Sequence, residues 1–370
     1  MIGRLAVITG EVGMSFIDRH VEDLVPGNTV VISRQSGHAL GGHWKEPCPV
    51  MYLDRWALGL GVRVAKRLGA RESAVRNSAV RGFLRQHRVS MVLGEFLDQF
   101  LDFIPLLQRM NIPFVVQGHG IDVSAKLRVP VLRAQYLAYQ AARAVLTRSE
   151  FHRQRLLDVG IPQEKVHVNP GGVDVPAAVP ARDPKAARRF LSLGRLVTKK
   201  GPIYLLEAFR LAAAKDSEIE LDVIGDGPLF PAVHQFVHAC GLQDRIRLHG
   251  YASEALKQRL LRECGVFVQH CITDPDTGDE EGLPAATQEA MAHAMAVVST
   301  RHAGIPEAVQ HGQTGFLVDE GNVLAMSEAM HDIIRHAPEF GVAGRRKAEQ
   351  LYTWSGERSR LRGHLGLETV

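Results

Sequence analysis

The chain lacks most of the features that would send a protein outside the cell, through a membrane or onto a metal. Its four cysteines (Cys48, Cys240, Cys264 and Cys271) form no C-x-x-C pair, which argues against a zinc ribbon, a redox motif or a disulfide framework. A reducing, cytoplasmic setting is the expectation. No run of eighteen apolar residues occurs, so no transmembrane helix is expected. The opening stretch MIGRLAVITGEVGMSF is broken by Gly and Glu and does not read as a secretory leader. There is no repeat of 20–50 residues and no low-complexity tract. Large net charge is missing too, at only +4.

What remains is an ordinary globular composition, 45% hydrophobic and 23% charged over 370 residues, enough for two domains with large cores. The charge is uneven. Residues 1–175 carry 22 Lys and Arg against 15 Asp and Glu, and residues 176–370 carry 22 against 25, so the halves are expected to meet different partners. Apolar runs ending in glycine or polar residues alternate with amphipathic stretches. The first half has RLAVITG (4–10), NTVVISR (28–34), VSMVLGEF (89–96), IPFVVQGHG (112–120) and AVLTRS (144–149). The second has RFLSLGRL (189–196), ELDVIGDG (220–227), RIRLHGY (245–251), GVFVQH (265–270), MAVVST (295–300) and GFLVDEG (315–321). Such runs read as strands buried on both faces, in parallel sheets built from βα units. Between the halves, VNPGGVDVPAAVPARDP (168–184) has four prolines and no periodicity and reads as a linker. Ligands of open α/β sheets bind beyond the carboxyl ends of the strands, so the loops after these runs carry the candidate chemistry.

The most informative loop is GDEEGLPAATQEAMAHAM (278–295). It reads as an acidic turn followed by a helix with Pro284 in its first turn. Unpaired N–H groups near Gly282 and Leu283 would then favour an anionic or hydroxyl-rich ligand. Glu281 would stand at the helix mouth, with Glu289 about two turns along a similar face. Taken alone, the acids could equally offset the helix macrodipole. The run from Glu281 to Glu289, with Gly282, Leu283 and Pro284 between, resembles the E-x7-E signature of retaining glycosyltransferases of family 4. These have the GT-B fold, two Rossmann-like doubly wound α/β domains facing a cleft. The resemblance implies that Glu281 meets the donor sugar, that Glu289 holds the ribose hydroxyls, and that the intervening amides cover sugar and phosphates.

Other segments fit the same resemblance. SLGRLVTKKG (192–201) places Gly194, Arg195 and Lys200 at a strand end, where two cations suit a diphosphate. The family pattern favours Lys200 over Lys199 because its Lys directly precedes the Gly. QGHGIDVS (117–124) resembles the family's His-Gly-x-Asp element, which implies that His119 lies near the donor sugar. Asp122 could orient it or cap the next helix. Gly13, in the loop after the first strand, is the better of two glycines (Gly10 and Gly13) for close approach to substrate. RHAGIPEAV (301–309) is similar to a segment of the subgroup that makes colanic acid and related exopolysaccharides, and could also simply support its domain. VIGDGPL (223–229) lacks the rest of a dinucleotide fingerprint. Asp274-Pro-Asp276 looks like a metal motif of a different glycosyltransferase fold, but it sits in a loop the E-x7-E reading already explains.

The implied protein has an acceptor-side domain over 1–175, a donor-binding domain over 185–351 and a tail, 352–370, returning to the first. Its implied activity is metal-independent transfer of a hexose, with retention, from a nucleoside diphosphate sugar to a saccharide or lipid-linked saccharide. The subgroup resemblance points to a UDP-hexose, with GDP-mannose as the rival donor. No cofactor is implied. A GT-B sugar-nucleotide epimerase and a non-catalytic sugar-nucleotide binder are the other classes compatible with the pattern. RVAKRLGARESAVRNSAVRGFLRQHR (63–88) carries eight Lys and Arg, plus His87, against one acid. It reads as a peripheral contact with the anionic inner face of the membrane or as a solvated helix face. Nucleic acid is not expected, because aromatics are not interleaved with these charges.

Overall fold

The computed structural model describes residues 3–36, 44–57, 72–179 and 182–367. Two compact units divide the chain: Met1–Arg148, Arg153–Asn169 and Arg358–Val370 form the first, and Ser149–His152 with Pro170–Glu357 the second.

The first unit is built on seven parallel strands: β1 (Arg4–Thr9), β2 (Thr29–Ser33), β3 (Val50–Tyr52), β4 (Val89–Glu95), β5 (Phe114–Gln117), β6 (Ala144–Thr147) and β7 (Val166–Val168). Their order is β3-β2-β1-β4-β5-β6-β7, with Leu5 opposite Thr29 and Leu93 opposite Val115. Most residues of β1, β2 and β4–β6 are buried, because helices cover both faces of a parallel sheet. On one face, Val80 and Leu84 of the helix Glu72–Gln86 join Phe100, Phe103 and Tyr136. On the other, Ile17 and Val21 of the helix Ser15–Asp23 pack with Leu361 and Leu365 of the last helix, Trp354–Leu365.

The second unit holds six parallel strands: β8 (Arg189–Leu193), β9 (Glu220–Ile224), β10 (Ile246–Leu248), β11 (Val266–Val268), β12 (Ala296–Thr300) and β13 (Gly315–Val318). They run in the order β10-β9-β8-β11-β12-β13. Each sheet grows outward in one direction, then reverses: at β1/β4 in the first and at β8/β11 in the second. At such a reversal the flanking loops leave on opposite sides and open a crevice at the carboxyl ends. The segments around Gly194 and Glu281 follow β8 and β11; those around Gly13 and Glu95 follow β1 and end β4.

The chain passes to the second unit at Asn169/Pro170, inside the stretch read as a linker, and described residues after that point are held on the second unit. Val173 exchanges backbone hydrogen bonds with Tyr352 and Trp354, and the Arg182 guanidinium donates to the carbonyls of Leu261, His293 and Ala294. The helix of the E-x7-E segment spans Ala285–Ala292, with Pro284 as its N-cap residue rather than inside the first turn. Of the basic stretch, residues 63–71 lie outside the described residues. In the described part Arg76 pairs with Asp102, while Arg85 and Arg88 are exposed. Among the described residues, no helix is long and apolar enough to cross a membrane.

Leu361 is fully buried, so Leu361→Ala is expected to destabilise the first unit by about 2–4 kcal/mol, read from the urea midpoint. Gly363 on the exposed side of the same helix has open space where a Cβ would go; Gly363→Ala is expected to stabilise by about 0.5–1 kcal/mol.

Candidate active site

In the second unit the loop after β8 ends in a short 3-10 turn, Thr198–Lys200, closed by Gly201. Gly201 has φ +52°, and a Cβ there would stand 2.0 Å from the His270 carbonyl oxygen, so only glycine lets the turn close against the β11 loop. This brings two consecutive lysines onto one carboxylate. Lys199 Nζ lies 3.2 Å from one oxygen of Glu281 and Lys200 Nζ 3.1 Å from the other. Lys199 also contacts Asp279 at 3.0 Å and donates to the Glu280 carbonyl. Burial would push the Glu281 carboxyl up, but the Lys200 and Lys199 ammonium groups outweigh it and hold it at about 2. Burial likewise opposes the charge of Lys199, yet Glu281 and Asp279 raise its pKa above the usual value. Lys200 reaches on to Gln269 Oε1 at 3.4 Å, and Gln269 Nε2 donates to the Leu193 carbonyl beside Gly194.

The backbone of Glu281 is fixed from behind. Its N–H donates to His302 Nε2 at 3.0 Å. That ring therefore carries its hydrogen on Nδ1, which faces Glu320 at 2.6 Å. Glu320 also accepts from the Thr273 N–H. Gly304 backs the next residue: a Cβ on it would stand 2.0 Å from the Gly282 carbonyl oxygen. Leu283 is anchored in the core with Met291 and Ile305. The N–H groups of Gly282 and Leu283 meet no acceptor among the described residues. They stand just ahead of a helix whose dipole favours negative charge there. Glu289, on that helix, pairs with Lys257 at 2.9 Å. Arg195 is exposed, and no hydrogen bond or ion pair engages its side chain among the described residues. A cation held ready, two orphan amides and an ionised carboxylate suit an anionic, hydroxyl-bearing ligand.

The remaining motif residues have local structural tasks. Glu307 accepts the N–H groups of Glu150 and Phe151. Asp274 accepts those of Asp276 and Thr277 within its own exposed turn. Cys264 and Cys271 are buried, and burial pushes each thiol up to about 12.

In the first unit, His119 follows β5 and lies against Phe16 and Phe96, each with ring centroids 4.6 Å away. Its Nε2 is 2.6 Å from Glu95 at the end of β4, and Nδ1 is 3.3 Å from Arg148 after β6. The other Glu95 oxygen is 2.6 Å from His20 Nδ1. Burial would raise the Glu95 carboxyl, but His20 and His119 outweigh it and hold it at about 2. Asp122 accepts the backbone N–H groups of His119 and Gly120, and its other oxygen accepts that of Leu97 at the start of the preceding helix, Leu97–Phe100, rather than capping the next one. Gly13 lies exposed in the loop after β1 with φ +97°.

Sequence reasoning singled out neither Glu95, His20, Arg148, Lys257 nor Glu320, met His302 only within the run RHAGIPEAV, and ranked Lys199 behind Lys200. All but Lys199 find their partners 18 to 75 residues away in the chain, where no local spacing signals them. A doublet of lysines after a strand was the one available hint for Lys199.

Because the Glu281 carboxyl is lowered from 4.5 to about 2, its ion pairs contribute stability that is fully present above pH 4.5 and lost as pH falls toward 2. Glu281→Gln is expected to flatten that part of the stability–pH curve, measured as urea midpoints between about pH 5 and pH 3.

Comparison with known proteins matches residues 180–347 to the family described as glycosyl transferases group 1, and residues 30–176 to glycosyltransferase family 4. The glycosyltransferase WcaL of Salmonella typhimurium, named for colanic acid biosynthesis, is 31% identical over 220 residues, 59% of this chain and 54% of its own. The chain thus spans about half the length of that relative. A mannosyltransferase of Mycolicibacterium smegmatis, named as GDP-mannose-dependent and acting on phosphatidylinositol monomannoside, is 29% identical over 70% of this chain and 71% of its own. Among solved structures, Anabaena HepE in complex with UDP and glucose superposes with a TM-score of 0.77, at 17% identity, over 98% of this chain and 99% of its own. Two parallel-sheet α/β units in this strand order constitute the GT-B fold. With family matches covering both units in succession, the chain belongs to the glycosyltransferases, carrying a group 1 domain in its second unit and a family 4 domain in its first.

Proposed function

We propose that the protein transfers a hexose from a nucleoside diphosphate sugar to a hydroxyl of a saccharide or lipid-linked saccharide in the assembly of an exopolysaccharide, with retention at the anomeric carbon and without a metal. The observation that carries this reading is the Glu281 carboxylate, ionised between Lys199 and Lys200 and followed by the two N–H groups without acceptors at Gly282 and Leu283. Fixed donors aimed at developing charge cost no reorganisation when the charge appears. Lys200, Arg195 and the helix-start N–H groups take the diphosphate, while Glu281 takes a sugar hydroxyl. Glu289, held by Lys257, takes the ribose. Gly194 and Gly13 leave room for close approach, Pro284 fixes the start of the helix, and His119 contributes from the first unit.

In the transfer, the bond from the anomeric carbon to the diphosphate oxygen breaks and its electron pair leaves with the diphosphate. Oxocarbenium character develops at the carbon. The acceptor hydroxyl adds from the same face, and its proton passes to the departing diphosphate oxygen. The alternative, double displacement through Glu281, would need a free nucleophilic oxygen, and both oxygens of this carboxylate are engaged by lysines. That observation favours the front-face route.

UDP-hexose is the proposed donor, supported by the UDP and glucose named for HepE and by the colanic acid relative. GDP-mannose is the second reading, favoured by the mannosyltransferase relative. A membrane surface reached through residues 63–88 would bring a lipid-linked acceptor to the site.

The test is slow donor turnover in EDTA across a panel of UDP- and GDP-sugars, following free diphosphate and sugar products. Wild type is expected to release diphosphate from one donor. Lys200→Ala should lose about 10²–10³-fold in kcat, whereas Glu289→Ala should act mainly on donor KM. Sugar conversion with no diphosphate release would instead identify an epimerase, and loss of all turnover in EDTA would sink the metal-free reading.

A further inference from the structure

Glu95 is buried at the carboxyl end of β4, on the switch point of the first sheet, with one imidazole on each oxygen. An ionised carboxylate can only accept hydrogen bonds, and a guanidinium can only donate them. His119 lies between these two kinds of group. Its Nε2, 2.6 Å from Glu95, must therefore carry the hydrogen, and its Nδ1, 3.3 Å from Arg148 Nη2, must be the bare nitrogen. His20 faces the other oxygen through Nδ1 at 2.6 Å, so its hydrogen sits on that nitrogen. Phe16 and Phe96 lie against the His119 ring, and the Arg148 guanidinium sits 5.6 Å over Phe16. The ring is thus fixed in position by packing and in tautomer by charge.

We propose that Glu95 is a positioning residue for His119: it holds the imidazole as the Nε2–H tautomer and so makes Nδ1 a hydrogen-bond acceptor at the carboxyl ends of β4, β5 and β6. His20 completes the carboxylate's coordination, which keeps Glu95 an acceptor toward His119. Arg148 occupies the Nδ1 lone pair only through a 3.3 Å contact, which a substrate hydroxyl arriving at that edge would replace. A carboxylate behind an imidazole fixes orientation and tautomer in other enzymes for the same reason. This rests on the reading of His119 as an active-site residue.

The test combines a spectrum with kinetics. Long-range ¹H–¹⁵N spectra of histidine-labelled protein, with His119 and His20 assigned through His119→Ala and His20→Asn, report the tautomers directly. Wild type is expected to show His119 as Nε2–H and His20 as Nδ1–H; His119 as Nδ1–H overturns the proposal without any variant. In Glu95→Gln the side-chain nitrogen can only donate, so one of the two rings must switch tautomer, and no switch overturns the proposal. Glu95→Gln is expected to lower kcat for the turned-over donor about 10- to 100-fold, with donor KM changed less than about twofold. Full activity in Glu95→Gln with His119→Ala inactive rejects the role of Glu95 alone. Full activity in His119→Ala rejects the active-site reading of His119, and the proposal with it.

Discussion

A carboxylate with both oxygens committed to ammonium groups governs the second unit. Glu281 is only 13% exposed at its side chain, and Lys199 and Lys200 are 11% and 14% exposed. Three charges so enclosed are held together by mutual need, since removing one leaves the others poorly solvated. The cluster joins the loop after β8 to the loop after β11, two strands that are neighbours in the sheet yet 73 residues apart in the chain, from Leu193 to Val266. Once it forms, the Gly282–Leu283 amides have little freedom: His302 fixes the residue before them and the buried Leu283 side chain fixes them from below.

The two lysines are not equivalent, although they are adjacent. Lys199 has three partners, Asp279, the Glu280 carbonyl and Glu281, and is the more deeply buried. Lys200 has Glu281 and a long contact to Gln269. A cation with three close partners has little capacity left for a ligand, whereas one with a weak second partner can turn to a phosphate oxygen at small cost. Lys199 is thus the clasp of the loop, and Lys200 the cation with the less committed donors.

How much of this was legible in the sequence follows from how far each contact reaches. Strands buried on both faces are continuous apolar runs, so β1, β2, β4 to β6, β11 and β12 stand out without any knowledge of pairing. Gly282, Leu283 and Glu289 share one loop-and-helix segment, and their relation is a matter of local spacing. The boundary error at Pro284 is local as well: proline suits either the N-cap or the first turn, and composition does not choose between them. Glu95, by contrast, looks like the end of a hydrophobic strand, and its meaning comes only from His20 and His119, which lie 75 and 24 residues away. Lys257 and Glu320 are hidden in the same way, as ordinary charged residues until Glu289 and His302 are brought to them.

The two carboxylates, Glu95 and Glu281, solve one electrostatic problem with different partners. Each is buried, each is held at about 2, and each uses both oxygens. Around Glu281 the two ammonium groups are balanced by two carboxylates, since Asp279 also meets Lys199, and the cluster keeps its own acceptor ionised. Glu95 instead meets one imidazole on each oxygen, and on His119 the Arg148 donor at Nδ1 leaves the hydrogen on the nitrogen that faces Glu95. An ionised carboxylate between two ammonium groups stands at the switch point of the second sheet, and one between two imidazoles stands at that of the first.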